Sequence, residues 1–368
     1  METFHPDINL YKMKFRSLIL FFTAIFFISV ACDPYKIDIP DQGTGSGNTN
    51  TGGNTGGNEG TSGNDDIYTV KYPKAGGTKV KTLQTVGYFT ETFIKKGITY
   101  YHFYGMDDIS KAHQNVCVAE IDLDNPAYKV NLFMTSSDIT SNVGKREKAI
   151  IAVNACYEQE AIYLKYNGSV KSTVSLDPDH LRFWKHEGAI VSDGPRKIGI
   201  INGAKGTSSI KEGGIQAIEV FKQLKEPTIF GSSPILIDDY DPIGTRFVPE
   251  HYNISNVSGF DAEDYRRHQG GRNPRVAAAL TEDNDLLLVV VDGRFSGKAE
   301  GMSAKELTNF LVKHFNPQWA INMDGGGSST MFVNMDGWGV MNYPTDNKTW
   351  DHEGERARPT FFLVQYNE

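Results

Sequence analysis

Three cysteines in 368 residues are too few for a disulfide framework. Cys117 and Cys156 either pair in an oxidising compartment or sit as two small buried apolar residues. Cys32 lies in an N-terminal segment with its own chemistry. Positive charge is also short: 37 Lys and Arg against 45 Asp and Glu leave a formal net charge of −8. Nucleic-acid binding needs a basic footprint, so that class of partner is excluded. A small anionic substrate is not excluded, because a few local guanidinium groups suffice to hold one. The nine histidines are scattered, with no pair at metal-ligand spacing, so neither a metal nor another cofactor is expected. Outside the first 32 residues no apolar run is long enough to suggest a membrane span, and no internal repeat is visible.

The N-terminus reads as an export signal. Met13-Lys14-Phe15-Arg16 is a charged start, and Leu18 to Val30 is nearly unbroken hydrocarbon of the length of a signal core. Ser29-Val30-Ala31-Cys32 closes it, with small residues just before a cysteine, as in a bacterial lipoprotein cleavage site. Processing there would leave Cys32 as a lipid-bearing N-terminus and anchor the protein to a membrane, on the periplasmic or extracellular face. Residues 33–68 form a tether, in which Asp41 to Asn64 is almost all Gly, Asn, Thr and Ser. Such a chain builds no core; its r.m.s. reach is on the order of 25–30 Å. Residues 69–368 remain for one large domain. With 39% hydrophobic and 22% charged residues overall, the composition is that of a globular protein.

Apolar runs between turn signals predict a domain rich in strands. Val116 to Leu123 and Lys129 to Phe133 flank an Asp-Asn-Pro turn, and Ala149 to Val153 precedes Asn154. Ala189 to Ser192, Lys197 to Ile201, Thr228 to Phe230 and Pro234 to Ile237 follow. Val276 to Leu280 and Leu286 to Val291 read as a hairpin. The second of these is apolar throughout, as in a strand buried on both faces. Ser303 with Glu306 then forms a capping-box pattern. Leu307, Phe310, Leu311 and Phe315 recur at helical spacing until Pro317, and Trp319 to Met323 is another strand. The expected class is α/β (mixed α+β): a central mixed sheet with flanking helices. The strand–helix–strand unit predicts parallel strands with a right-handed crossover. Asp292 and Asp324 then stand just beyond two strand ends, at the edge where open sheets bind ligands.

The segment after the last of these strands is Asp324-Gly325-Gly326-Gly327-Ser328-Ser329-Thr330. Three glycines allow close backbone approach and amide arrays that suit an anion, and the hydroxyls add donors. No Gly-Lys-Ser/Thr ends this loop, and it lacks both the dinucleotide glycine spacing and the last glycine of a nucleophile elbow. Arg272, Arg275, Arg294, Arg356 and Arg358 lie beside short Gly, Asp or Pro turns, and guanidinium forks bind phosphate in bidentate fashion.

Asn154-Ala155-Cys156-Tyr157, Gly231-Ser232-Ser233-Pro234, Asn273-Pro274-Arg275-Val276, Val291-Asp292-Gly293-Arg294, Gly301-Met302-Ser303 with Glu306, Asn322-Met323-Asp324 with its glycines, and Glu355-Arg356 occur in that order. Together they resemble the phosphodiester glycosidase family, over about residue 95 to the C-terminus. That resemblance implies hydrolysis of a sugar C1–O–phosphate bond on an extracytoplasmic glycan or envelope polymer. It points to Asp324, Asp292 and Glu158 as candidate catalytic carboxylates. Arg275, Arg294 and Arg356, with Gly325, Gly326, Gly327 and Ser328, would hold the phosphate, and Asn154 a sugar hydroxyl. Ala155, Cys156 and Val276 depart from the family's usual glycines and threonine, which bears on substrate identity. Two alternatives stand beside this one: a non-catalytic surface lipoprotein that binds a glycan or sugar phosphate, and a metal-assisted phosphodiesterase. The lipid assignment has a direct check. Metabolic labelling with a fatty-acid analogue should tag the wild-type protein and leave Cys32→Ser unlabelled; equal label in both would refute it.

Overall fold

The computed structural model describes residues 70–72, 89–172, 174, 181–246 and 257–367; the leader, Cys32 and the tether lie outside them. Strands and helices mix in one unit, Gly63–Glu368, as an α+β class requires. Its centre is the expected hairpin, observed as Arg275–Leu280 and Asp285–Val291 and paired antiparallel from Arg275–Val291 to Leu280–Leu286. Every residue of both strands is buried. The two faces separate with the period of two that a strand imposes. Val276, Ala278, Leu280, Leu286, Leu288 and Val290 enter one cluster, and Ala277, Ala279, Leu287, Val289 and Val291 the other.

This hairpin sits inside a seven-stranded sheet with the order Phe89–Lys95, Ile98–Asp107, Ala112–Asp122, Asp285–Val291, Arg275–Leu280, Trp319–Asn322, Ile235–Asp238. The helix Ala304–His314 covers one face through Leu307, Phe310 and Leu311. The other face shares its core with two further sheets. One has the order Ser169–Val170, Leu164–Tyr166, Thr228–Ser232, Gly188–Ser192, Ile198–Asn202; the other Met331–Val333, Ile151–Asn154, Arg358–Tyr366, Tyr128–Asp138.

The strand–helix–strand unit is corrected in one respect. Asp285–Val291 and Trp319–Asn322 both pair antiparallel with Arg275–Leu280, so they run the same way but are not neighbours. Every pairing in the central sheet is antiparallel, and the sheet is not mixed. The cause is local. A tight turn folds Arg275–Leu280 back onto Asp285–Val291, so the hairpin takes the slot that a crossover strand would otherwise fill. Cys117 and Cys156 are both buried and free, which selects the apolar reading of the pair.

The capping box is present. Glu306 N donates to Ser303 Oγ at 3.2 Å, and Ser303 N donates to Glu306 Oε2 at 2.8 Å. Substituting Ser303→Ala strips one helix-end donor of its acceptor and should lower stability by about 1 kcal/mol. Denaturant titration would show this as a drop in midpoint with an unchanged slope.

Candidate active site

Two chain segments, one from each of two sheets, hold the glycine turn. Where the strand Trp319–Asn322 ends, Met323 N donates to Val276 O at 2.7 Å and Asp324 N to Ala155 O at 2.9 Å. Two residues on, Gly326 N donates to Pro274 O at 2.9 Å. Asn154 closes the clamp: its Nδ2 donates to Asp324 O at 2.8 Å and its Oδ1 accepts from Thr330 N at 2.9 Å. This side chain is fully buried and spans the turn from first residue to last. A Cβ on Gly325 would lie 2.4 Å from Pro274 O, and Gly326 has φ +66°, so neither position admits a side chain without strain. The Gly326, Ser328 and Ser329 amides bond within the fold, to Pro274, Gly325 and Gly326.

At the start of the turn, Asp324 is 5% exposed. Arg358 is the first residue of the strand Arg358–Tyr366, on the face that also carries Phe362 and Val364 into the core. Its Nε lies 2.6 Å from Asp324 Oδ2 and donates to Ser328 Oγ at 2.6 Å. The N–H is directed at the serine, so Oδ2 meets the guanidinium as an ion pair and keeps no hydrogen bond of its own. Arg358 Nη1 donates to Glu158 Oε1 at 3.2 Å. One guanidinium thus joins two carboxylates. Burial pushes Asp324 up to about 6 against the opposing pull of Arg358, with Glu158 adding to the rise. Glu158 moves the other way: burial acts upward, but Lys185 and Arg358 outweigh it and hold the group below the usual carboxylate range. Separated pKa values in neighbouring carboxylates mark a divided chemical role.

Two more guanidinium groups lie against the glycines. Arg294 Nη2 is 3.1 Å from where a Cβ on Gly326 would stand, and Arg356 Nη2 is 2.7 Å from the same point on Gly327. Arg356 Nε also donates to Asp346 Oδ1 at 2.7 Å. Arg294 has a left-handed backbone, φ +67°, which is uncommon for a side chain of its size. The turn therefore carries a carboxylate at its head and, over its glycines, Arg294 and the Arg356–Asp346 ion pair. Beside the carboxylates stand the rings of Tyr157, Trp184 and His268, with centroids 4.4 to 5.9 Å apart. Burial, with Arg275, Lys185 and Arg294 nearby, holds His268 well below its usual pKa and therefore neutral.

Three candidates from the sequence spend their polar groups on the fold itself. Asp292 is fully buried and accepts from Asn115 Nδ2 at 2.7 Å, Asn342 Nδ2 at 2.8 Å and Tyr343 N at 2.8 Å. It fastens its strand end to the segment after Val333, and burial raises its pKa. Arg275 is buried and donates to three carbonyls, Met302 at 2.8 Å, His268 at 2.6 Å and Gly271 at 2.8 Å. Burial lowers it to about 10, and it braces the chain that leads into the central hairpin. Asn154 spends both ends of its amide on the turn. Sequence reasoning passed over Arg358 as a site residue, although it continues the alternation that puts Phe362 and Val364 inward. Lys185 had no such signal.

Residues 148–365 match the model of the phosphodiester glycosidase family. Among solved structures, the chain is similar to the catalytic domain of zebrafish N-acetylglucosamine-1-phosphodiester alpha-N-acetylglucosaminidase, auto-inhibited by its pro-peptide. The identity is 16% and the TM-score 0.48, over 82% of this chain and 97% of that one. A hypothetical protein from Synechocystis gives 14% identity and a TM-score of 0.49, over 76% of this chain and 64% of that one. No curated protein sequence matches. The clamp has its own test. Asn154→Ala leaves Asp324 O and Thr330 N buried without partners, so it should cost about 2–4 kcal/mol in a denaturant titration.

Proposed function

The chain belongs to the phosphodiester glycosidase family, and from that premise we propose that it hydrolyses a glycosyl phosphodiester at the sugar C1–O–phosphate bond. The substrate is an extracytoplasmic glycan or envelope polymer, reached from a lipid anchor at Cys32. One observation carries the reading: Asp324 heads the glycine turn whose Gly326 and Gly327 lie against Arg294 and Arg356, so a carboxylate lies next to an anion seat.

The phosphate rests over Gly326 and Gly327 against Arg294 and Arg356, whose forks match its oxygens. The sugar then faces Asp324 and Glu158, against the rings of Tyr157, Trp184 and His268. Asp324 takes a proton from a water whose oxygen attacks C1. The C1–O bond breaks, and the phosphate monoester leaves with the bonding electrons. This leaving group is already a stable anion, so cationic stabilisation counts for more than protonation. Glu158, ionised throughout, faces the positive charge that develops on the sugar ring. A base with pKa near 6 is ionised and still basic at neutral pH, which is where general-base catalysis works best.

The full-length protein should therefore release sugar from a model glycosyl phosphodiester without added metal. The rate should rise with pH through about 6, the value to which Asp324 is raised, because the active form is the carboxylate. Asp324→Asn should lower kcat by roughly 10²- to 10⁴-fold with folding intact. Arg294→Ala and Arg356→Ala should lower kcat as well as raise KM, because these cations face charge that grows as the phosphate leaves. Unchanged turnover in Asp324→Asn would remove that residue from the mechanism. Saturable binding of a sugar phosphate with no product over a long incubation would favour the non-catalytic alternative.

A further inference from the structure

Glu158 is held by cations from two sides. Arg358 Nη1 reaches its Oε1 at 3.2 Å, and Lys185 Nζ lies 3.7 Å from its Oε2. Lys185 comes from the short 3₁₀ helix Leu181–His186, and its side chain is only 6% exposed. Lysines ordinarily bury the stem and leave the head in water. Here the ammonium itself is enclosed, 3.0 Å from Glu263 Oε2 and 5.0 and 5.5 Å from the ring centroids of Tyr157 and Trp184. Burying an ammonium is costly unless anions and π faces receive it. Two carboxylates and two aromatic rings do so. Glu263 is anchored in turn by Arg182 Nε at 3.2 Å.

Counting charges shows what this lysine does. The groups facing Glu158 are Arg358, Lys185, Asp324 and Tyr157. Arg358 is already shared with Asp324, so without Lys185 one guanidinium would face two carboxylates. Two neighbouring carboxylates with one counter-charge between them repel each other, which raises the pKa of at least one of them. We propose that Lys185 is a positioning residue of the active site, which keeps Glu158 an anion beside Asp324, and that Glu263 competes with Glu158 for its charge. Its importance to turnover rests on the proposed reaction; its effect on Glu158 does not.

The experiment is a titration that needs no substrate. Full-length protein labelled with ¹³C at the glutamate carboxyls is followed by NMR against pH, with Glu158 assigned from the signal lost in Glu158→Gln. Lys185→Met keeps the apolar stem against the two rings and removes the charge, so the Glu158 midpoint should rise by about one pH unit or more. Lys185→Arg should restore most of the difference. Glu263→Gln should move the midpoint downward, because it frees the ammonium charge for Glu158. That opposite sign separates an electrostatic role from a merely structural one. A folded Lys185→Met with the wild-type midpoint would overturn the proposal. So would a rise in Glu263→Gln, which tests it even if Lys185→Met fails to fold. A wild-type protein that releases no sugar would sink the proposed reaction and leave the titration result standing.

Discussion

Taking the Asp324 carboxylate out of water is the act on which the rest of the site depends. A buried carboxylate is stable only if it is paired or protonated. Asp324 lies between these limits: Arg358 pairs it from one side, while burial and Glu158 raise it to about 6. Move Arg358 away and Asp324 becomes a neutral acid; remove the burial and it becomes an ordinary surface carboxylate. The site needs both, and both come from the packing of the strand Arg358–Tyr366 beside Ile151–Asn154.

The same packing explains why the turn is so tightly strapped. Backbone bonds from Ala155, Pro274 and Val276 and the amide of Asn154 leave Asp324 little freedom to follow its counter-ion or retreat to solvent. Fixed donors and charges that need not reorganise are what make an anion seat effective. Arg294 and Arg356 add charge over glycines that have no side chain to displace them. Asp292 shows that sequence neighbourhood does not decide such a role. It too follows a buried strand and precedes a glycine, yet three amide donors absorb it into the fold.

The elements legible in the sequence were those specified by local chemistry. The hairpin around residues 281–284, the capped helix from Ser303 and the buried strand before Asp292 all rest on turn residues, caps and apolar runs. The gathering of a carboxylate, a triple-glycine turn and distant arginines was legible as well, through residue types that phosphate chemistry demands. Less legible was which arginine does what. Arg275, Arg294, Arg356 and Arg358 look alike as sequence. One is clamped on three carbonyls, two lie on the glycines and one joins two carboxylates. Lys185 sits in a Phe-Trp-Lys-His run with no periodicity to mark it, and its partners are 27 residues upstream and 78 downstream.

What the sequence alone determined was the inventory: a strand-rich domain with an acidic residue heading a glycine turn and several guanidinium groups beside short turns. Only the tertiary structure decided the assignment. Burial, counter-charge and strand order are properties of neighbours in space. The insertion of an antiparallel strand between Asp285–Val291 and Trp319–Asn322, and the meeting of Arg358 with both Asp324 and Glu158, arise from contacts between segments up to 200 residues apart. Local propensity carries no information about pairings at that range, because the energy that selects them appears only when the segments are packed together.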